Sequence, residues 1–154
     1  GNSSVGVSIG LAGTCLEIWG TDDLKEKYLK PAATGDKILA YALTEPDAGS
    51  DPTSISSTFE EVDGNYVLNG TKYLITNGSI CDAVVVFAYP KGDKNMYAFI
   101  VDKNSDGFEV SMELKEKLGF FTSDTASAAS SRVSSKVSLN SPYSGFTFSV
   151  KGSN

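Results

Sequence analysis

The sequence predicts a mainly β protein, an antiparallel β-barrel or sandwich preceded by a short α-helical stretch. Three observations carry this. Apolar residues recur at spacings of three and four only before about residue 37. From Ile38 onward they fall into short runs. Those runs are separated by Asp63-Gly64, Asn69-Gly70, Asn77-Gly78 and Pro90-Lys-Gly-Asp-Lys94, all turn sequences. Short strands broken at such intervals build sandwiches and barrels.

The helical part comes first. Val5, Ile9, Ala12, Leu16 and Trp19 form one apolar stripe in spite of Gly6, Gly10 and Gly13. Each of those glycines weakens an isolated helix by about 1 kcal/mol relative to alanine, so the helix needs packing on both sides. Gly20 stops it. Thr21 then caps a second helix, with Asp22 and Asp23 at the positive end of its dipole. Leu24 and Tyr28 face inward, and Pro31 with Gly35 ends the segment.

The chain then turns on Tyr41-Ala-Leu-Thr-Glu-Pro-Asp-Ala-Gly-Ser-Asp51. Pro46 lacks an N–H and pushes Glu45 out of the helical region, so the strand carrying Tyr41, Ala42 and Leu43 ends at about Thr44. Asp47, Gly49, Ser50 and Asp51 make the loop that follows. Loop amides and the Ser50 hydroxyl could cradle an anion, although a self-satisfied surface turn is the commoner use of such residues. Further on, Ile55, Ser57 and Phe59 share one strand face, and Asp63-Gly64 turns the chain back into Tyr66-Val-Leu68. Asn69-Gly70 and Asn77-Gly78 bracket a strand over Lys72-Tyr-Leu-Ile-Thr76. Ala83-Val-Val-Val-Phe-Ala-Tyr89 is apolar without alternation, which predicts burial on both faces. Met96-Tyr-Ala-Phe-Ile-Val101 and Phe108-Glu-Val110 follow.

The 154 residues suit one domain with a substantial core. A net charge of −6 without a basic run argues against nucleic acid as a partner. No apolar run reaches the roughly 20 residues that span a bilayer, so no membrane span is expected. Cys15 and Cys81 lack ligand-like spacing and the chain has no histidine, which disfavours a metal centre or a histidine-based triad. Two buried thiols are expected instead.

The signature loop resembles the segment that opens the middle domain of the acyl-CoA dehydrogenases, flavoenzymes that oxidise acyl-CoA thioesters. Two further segments strengthen the likeness. Leu68-Asn-Gly-Thr-Lys-Tyr-Leu-Ile-Thr-Asn-Gly78 resembles the family's strand-turn-strand that reaches the flavin edge. Lys117-Leu-Gly-Phe-Phe-Thr-Ser-Asp-Thr125 is similar to its Lys-Leu-Gly-x-Arg-x-Ser-x-Thr segment, with Phe121 in place of the arginine. The resemblance implies that residues 1–37 close an N-terminal helical domain, so that the chain begins inside a domain. Residues 38–154 would then be the flavin-binding middle β-domain.

It further implies an FAD cofactor and an acyl-CoA substrate. Tyr41, Leu43 and Thr44 would line the flavin ring, with Thr44 bonding its pyrimidine edge; Gly49 and Ser50 would meet the pyrophosphate. Leu74 would pack on the ring, and Thr76 would bond near N5. Ser50, Ser123 and Thr125 would contact acyl-CoA. Electrons would pass to an electron-transferring flavoprotein, and the parent would be a homo-oligomer, a dimer or tetramer, in the bacterial cytoplasm or mitochondrial matrix. Glu45 is read as structural, because the family's catalytic carboxylate belongs to a later helical domain. Related readings are an enoyl-CoA reductase, or a catalytically silent β-domain acting as a binding or interface module.

From 126 to 154 the resemblance fails, in a region crowded with serines from Ser127 to Ser144. Ala128, Ala129, Val133 and Val137 suggest a strand over a thinner core. A divergent natural end, an altered or frame-shifted end, small residues standing in for unread ones, and a flexible tail all suit this composition. Tyr143, Phe146 and Phe148 argue against complete disorder.

Overall fold

A computed structural model describes residues 3–113, 125–130, 137–140 and 147–149. Helical backbone runs through residues 3–19 (α1), and within it Gly6–Gly13 adopts the wider i→i+5 hydrogen-bond pattern. That widening moves the inward face. Val5, expected inside, is 57% exposed, while Ser8, Ala12, Cys15 and Leu16 are buried. A second helical stretch spans residues 22–34 (α2), and the Thr21 hydroxyl accepts the Leu24 N–H at 3.4 Å, as the cap requires. Pro31 does not end it. The wide turn Lys25–Leu29 precedes the proline, and the helix continues to Thr34. Gly35, at φ +86°, is the stop: its N–H bonds Ala32 O while Asp36 N–H reaches back to Pro31 O.

Nine strands follow among the described residues. They are β1 Leu39–Ala42, β2 Thr58–Val62, β3 Asn65–Thr76, β4 Ala83–Pro90, β5 Tyr97–Asp102, β6 Phe108–Glu113, β7 Thr125–Ser130, β8 Val137–Asn140 and β9 Thr147–Ser149. The first seven form a sheet in the order β1-β4-β2-β3-β7-β6, with β5 on β4; β8 pairs β9 separately. The protein is therefore mainly β with a short helical part. Among the described residues its sheet path is not closed. β2–β3, β3–β7, β6–β7 and β4–β5 are antiparallel, whereas β4 runs parallel to both β1 and β2. The parallel β1–β4 pair is possible because the long excursion through β2 and β3 carries the chain back to the starting end.

β4 divides two apolar cores. Ala83, Val85 and Phe87 pack with Leu39, Ile100 and the helical residues Ala12, Leu16, Leu24 and Tyr28. Val84, Val86 and Ala88 pack with Phe59, Leu68, Ile75 and Phe99 on the opposite side. A run without alternation is what a strand with two dry faces requires. Cys15 and Cys81 are buried thiols outside any disulfide, and burial pushes Cys15 up to about 11.

The turn signals divide. Asp63 and Gly64 sit at φ +52° and +75° in the β2–β3 hairpin, and Asn77 at +68° ends β3. Asn69-Gly70, expected as a turn, lies inside β3, which is continuous over 12 residues. Gly70 answers a packing demand instead. A Cβ there would stand 2.1 Å from Ser57 Oγ and 2.8 Å from Ser57 Cα.

Candidate functional site

The signature loop leaves the end of β1 beside the end of β3. Glu45 and Ala48 exchange both backbone bonds at 3.1 Å, making a tight loop of the four residues from Glu45. Asp51 closes the far side by accepting Thr53 N–H at 2.9 Å. Between these two braces Gly49 and Ser50 are exposed. Gly49 has neither positive φ nor any atom within 4 Å of where a Cβ would stand, so neither conformation nor packing among the described residues demands glycine there. Its place is open to an incoming group.

Tyr73 N–H donates to Thr44 O at 2.8 Å, which fixes Thr44 against β3 one residue before Leu74. Leu74 stands out. It lies at the register shift between Lys72 and Ile75, at φ +57°, and is 50% exposed. A leucine at positive φ costs about 1–2 kcal/mol of backbone strain, and its exposure forgoes the burial that could offset it. Such strain gathers where a ligand supplies the missing contact. Thr76 is half-buried and stands opposite Thr125 of β7. Next to it Asn77 is fully buried, its amide donating to Ser4 O at 2.9 Å and Leu39 O at 3.0 Å, while its Oδ1 has no partner among the described residues.

Tyr41 and Leu43 lie elsewhere in the layering. Both pack on the helix side of the sheet, Tyr41 against Phe87 at a ring separation of 5.1 Å. With Leu11, Cys15, Trp19 and Met96 they line a largely apolar cavity of about 420 Å³. Burial raises the Tyr41 hydroxyl above its ordinary pKa, with the Cys15 thiol adding to the rise. The structure thus gathers Thr44, Leu74 and Thr76 at one strand end, with Gly49 and Ser50 on the loop that leaves it, and sets Tyr41 and Leu43 on the helix-facing side of β1. Ser123 and Phe121 lie outside the described residues; Thr125 is placed only by its backbone pairing.

Beneath the loop is a cluster that the sequence did not single out. Glu45 is 3% and Lys72 4% exposed, and Lys72 Nζ donates to Glu45 Oε1 at 2.7 Å and to Leu43 O at 3.2 Å. Ser56 gives Glu45 Oε2 its N–H at 2.6 Å and its hydroxyl at 2.7 Å; Ser57 gives Oε1 its N–H at 3.0 Å and its hydroxyl. Burial alone would raise the Glu45 carboxyl, but the bonds from Lys72, Ser57 and Ser56 outweigh it and hold the group at about 2. Burial lowers the Lys72 ammonium, and Glu45 opposes that shift. With both carboxylate oxygens occupied, Glu45 is a brace and no candidate for proton transfer. One signal could have revealed the partner: alternation puts Lys72 on the inner face with Leu68 and Gly70.

Fold and site together define a β-domain, flanked by helices, with a braced, exposed loop at one strand end. Residues 40–133 match the family model for the middle domain of acyl-CoA dehydrogenase. The chain is 42% identical over 119 residues to the short-chain specific acyl-CoA dehydrogenase of Clostridium acetobutylicum, covering 75% of this chain and 31% of that protein. It is 46% identical over 121 residues to the Acetobacterium woodii subunit CarC of the caffeyl-CoA reductase-Etf complex, covering 74% and 31%. A glutaryl-CoA dehydrogenase from Mycobacterium smegmatis, solved in complex with FADH2, superposes with a TM-score of 0.80 at 32% identity, covering 85% of this chain and 33% of that one. The chain belongs to the acyl-CoA dehydrogenase family, and it spans about a third of the length of these relatives.

Proposed function

We propose that this chain is the flavin-holding part of an FAD-dependent acyl-CoA dehydrogenase. Residues 1–37 would be the end of its N-terminal helical domain and residues 38–154 its middle β-domain, divergent from 126 onward. The observation that carries the reading is Leu74, exposed and strained at positive φ beside Thr44 and Thr76. An exposed apolar side chain with two threonines close by on the backbone suits the face and polar edge of a flavin ring. The open position at Gly49, with the exposed hydroxyl of Ser50, suits the pyrophosphate.

FAD, when bound, supplies hydride acceptance from the β-carbon of an acyl-CoA thioester, giving a trans-2-enoyl-CoA. This chain's share is to hold and orient. Thr44 and Thr76 would bond the ring edge, Leu74 would cover one face, and Tyr41 and Leu43 would shape the helix side. Ser50, Ser123 and Thr125 would meet acyl-CoA. The α-proton would go to a carboxylate outside this chain, because Glu45 is engaged on both oxygens. Electrons would leave to an electron-transferring flavoprotein, and the parent would be a dimer or tetramer. Among the described residues no helix is long and apolar enough to cross a membrane, which agrees with a parent in the bacterial cytoplasm or mitochondrial matrix. The likeness to a caffeyl-CoA reductase subunit favours one second reading, the same site run toward enoyl-CoA reduction.

The test is flavin content and turnover of the full-length protein. Bound FAD with dye reduction by butyryl-CoA or octanoyl-CoA is expected, and none by the isolated chain, since none of the residues matched to the family offers a positioned base. A full-length protein that takes up no FAD would refute the proposal.

A further inference from the structure

We propose that Lys72 is a positioning residue for the cofactor: its buried ammonium, through Glu45, locks the signature loop and the Leu74 bulge into one rigid unit. The proposal rests on the flavin reading above. Lys72 Nζ touches two places on the loop strand, Leu43 O at 3.2 Å and Glu45 Oε1 at 2.7 Å, which lie immediately before and after Thr44. Along β3 the next residue, Tyr73, holds Thr44 O at 2.8 Å, and the one after it is the strained Leu74. Glu45 passes the constraint onward to Ser56 and Ser57, and by its bonds with Ala48 to the loop that presents Gly49 and Ser50. Thr44 and Ser50 of the signature segment and Leu74 of β3 are thereby held in one frame.

A net gain over apolar packing does not account for the pair. A buried ion pair is often no more stable than apolar residues of the same volume, because desolvation of both charges cancels their attraction. What a buried carboxylate accepting five bonds offers over apolar packing is fixed direction, and that is the demand of a site which must aim hydroxyls at a ring edge.

The experiment compares the full-length flavoprotein with Lys72→Met, Glu45→Gln and Val101→Ala. Val101 is fully buried in β5, where it pairs with Val84 of β4, and serves as the control for plain destabilisation. Melting temperature, FAD dissociation constant and midpoint potential of the bound flavin are read for each. Lys72→Met is expected to weaken FAD binding about tenfold and to shift the potential, since a displaced site loses its transition-specific and ring-edge bonds. Glu45→Gln keeps shape and acceptor while losing charge, and gives a smaller change in the same direction; it carries the comparison if Lys72→Met does not fold. Val101→Ala should lower the melting temperature and leave the potential unchanged. If Lys72→Met or Glu45→Gln lowers stability but keeps wild-type FAD affinity and potential, as the control does, the positioning role is overturned while the flavin reading stands. If the wild-type protein binds no FAD, the flavin reading fails and the positioning role falls with it.

Discussion

Gly70→Ala should be one of the most damaging single-methyl changes in the described sheet. On backbone grounds alone the substitution helps: Gly70 has no positive φ, and restricting the unfolded chain contributes about 0.4–1 kcal/mol. Packing reverses the sign. The added Cβ would lie 2.1 Å from Ser57 Oγ, 2.6 Å from its Cβ and 2.8 Å from its Cα, so a rotation of the serine does not relieve it. Overpacking of this kind costs about 1–3 kcal/mol. Moving Ser57 also strains its two bonds to the Glu45 carboxylate, and each hydrogen bond to a charged group contributes about 1.5–3 kcal/mol. The loss outweighs the gain, leaving a net destabilisation of about 2–4 kcal/mol. At about 2–4 °C per kcal/mol for a chain of this size, the melting temperature should fall by roughly 4–16 °C. Urea denaturation of wild type, Gly70→Ala, Ser57→Ala and the double variant measures it. The double variant should lose less than the sum of the singles, because the Oγ overlap is gone. A Gly70→Ala protein as stable as wild type, or more so, would show that the β3 to Ser57 contact is not tight and that Gly70 marks a turn after all.

Leu74→Asn should keep or raise stability, because asparagine tolerates the left-handed region, and should weaken FAD retention; a variant less stable than wild type with full FAD content contradicts the role given to Leu74. Ser50→Ala should lower flavin content through a lost bond to a charged phosphate, about 1.5–3 kcal/mol. Thr44→Ala and Thr76→Ala should retain flavin with a lowered midpoint potential, since the reduced ring loses more stabilisation than the oxidised one. Wild-type values for flavin content, potential and turnover in all three would refute those assignments. Acid should loosen the loop brace. Glu45 is held at about 2 against an ordinary 4.5, so its contribution is present above about 4.5 and lost as pH falls toward 2. Urea midpoints of wild type and Glu45→Gln should therefore differ at neutral pH and converge in that acid window, and a difference independent of pH would contradict the brace.

Sequence by itself determined whatever depends on local sterics or on an unbroken pattern. Thr21 caps, Gly35 stops a helix at φ +86° and Asp63-Gly64 turns a hairpin, because only a few residue types meet those backbone demands. The run from Ala83 to Ala88 is buried on both faces because nothing in it can face water. The signature loop was legible for the same reason, as Pro46 and the small residues after it forbid continuation of the strand. Tertiary structure decided what depends on partners distant in the chain. Asn69-Gly70 has the local form of a turn, yet Ser57 needs the space beside Gly70 and the strand runs through. Glu45 and Lys72 meet across 27 residues of sequence, and neither shows in its own neighbourhood that it is half of a buried pair. β4 lies parallel to β1, and Tyr41 and Leu43 pack toward the helices, because register and layering set which face a side chain takes. Spacing fixes a residue's alternation; only the assembled sheet fixes what it alternates between.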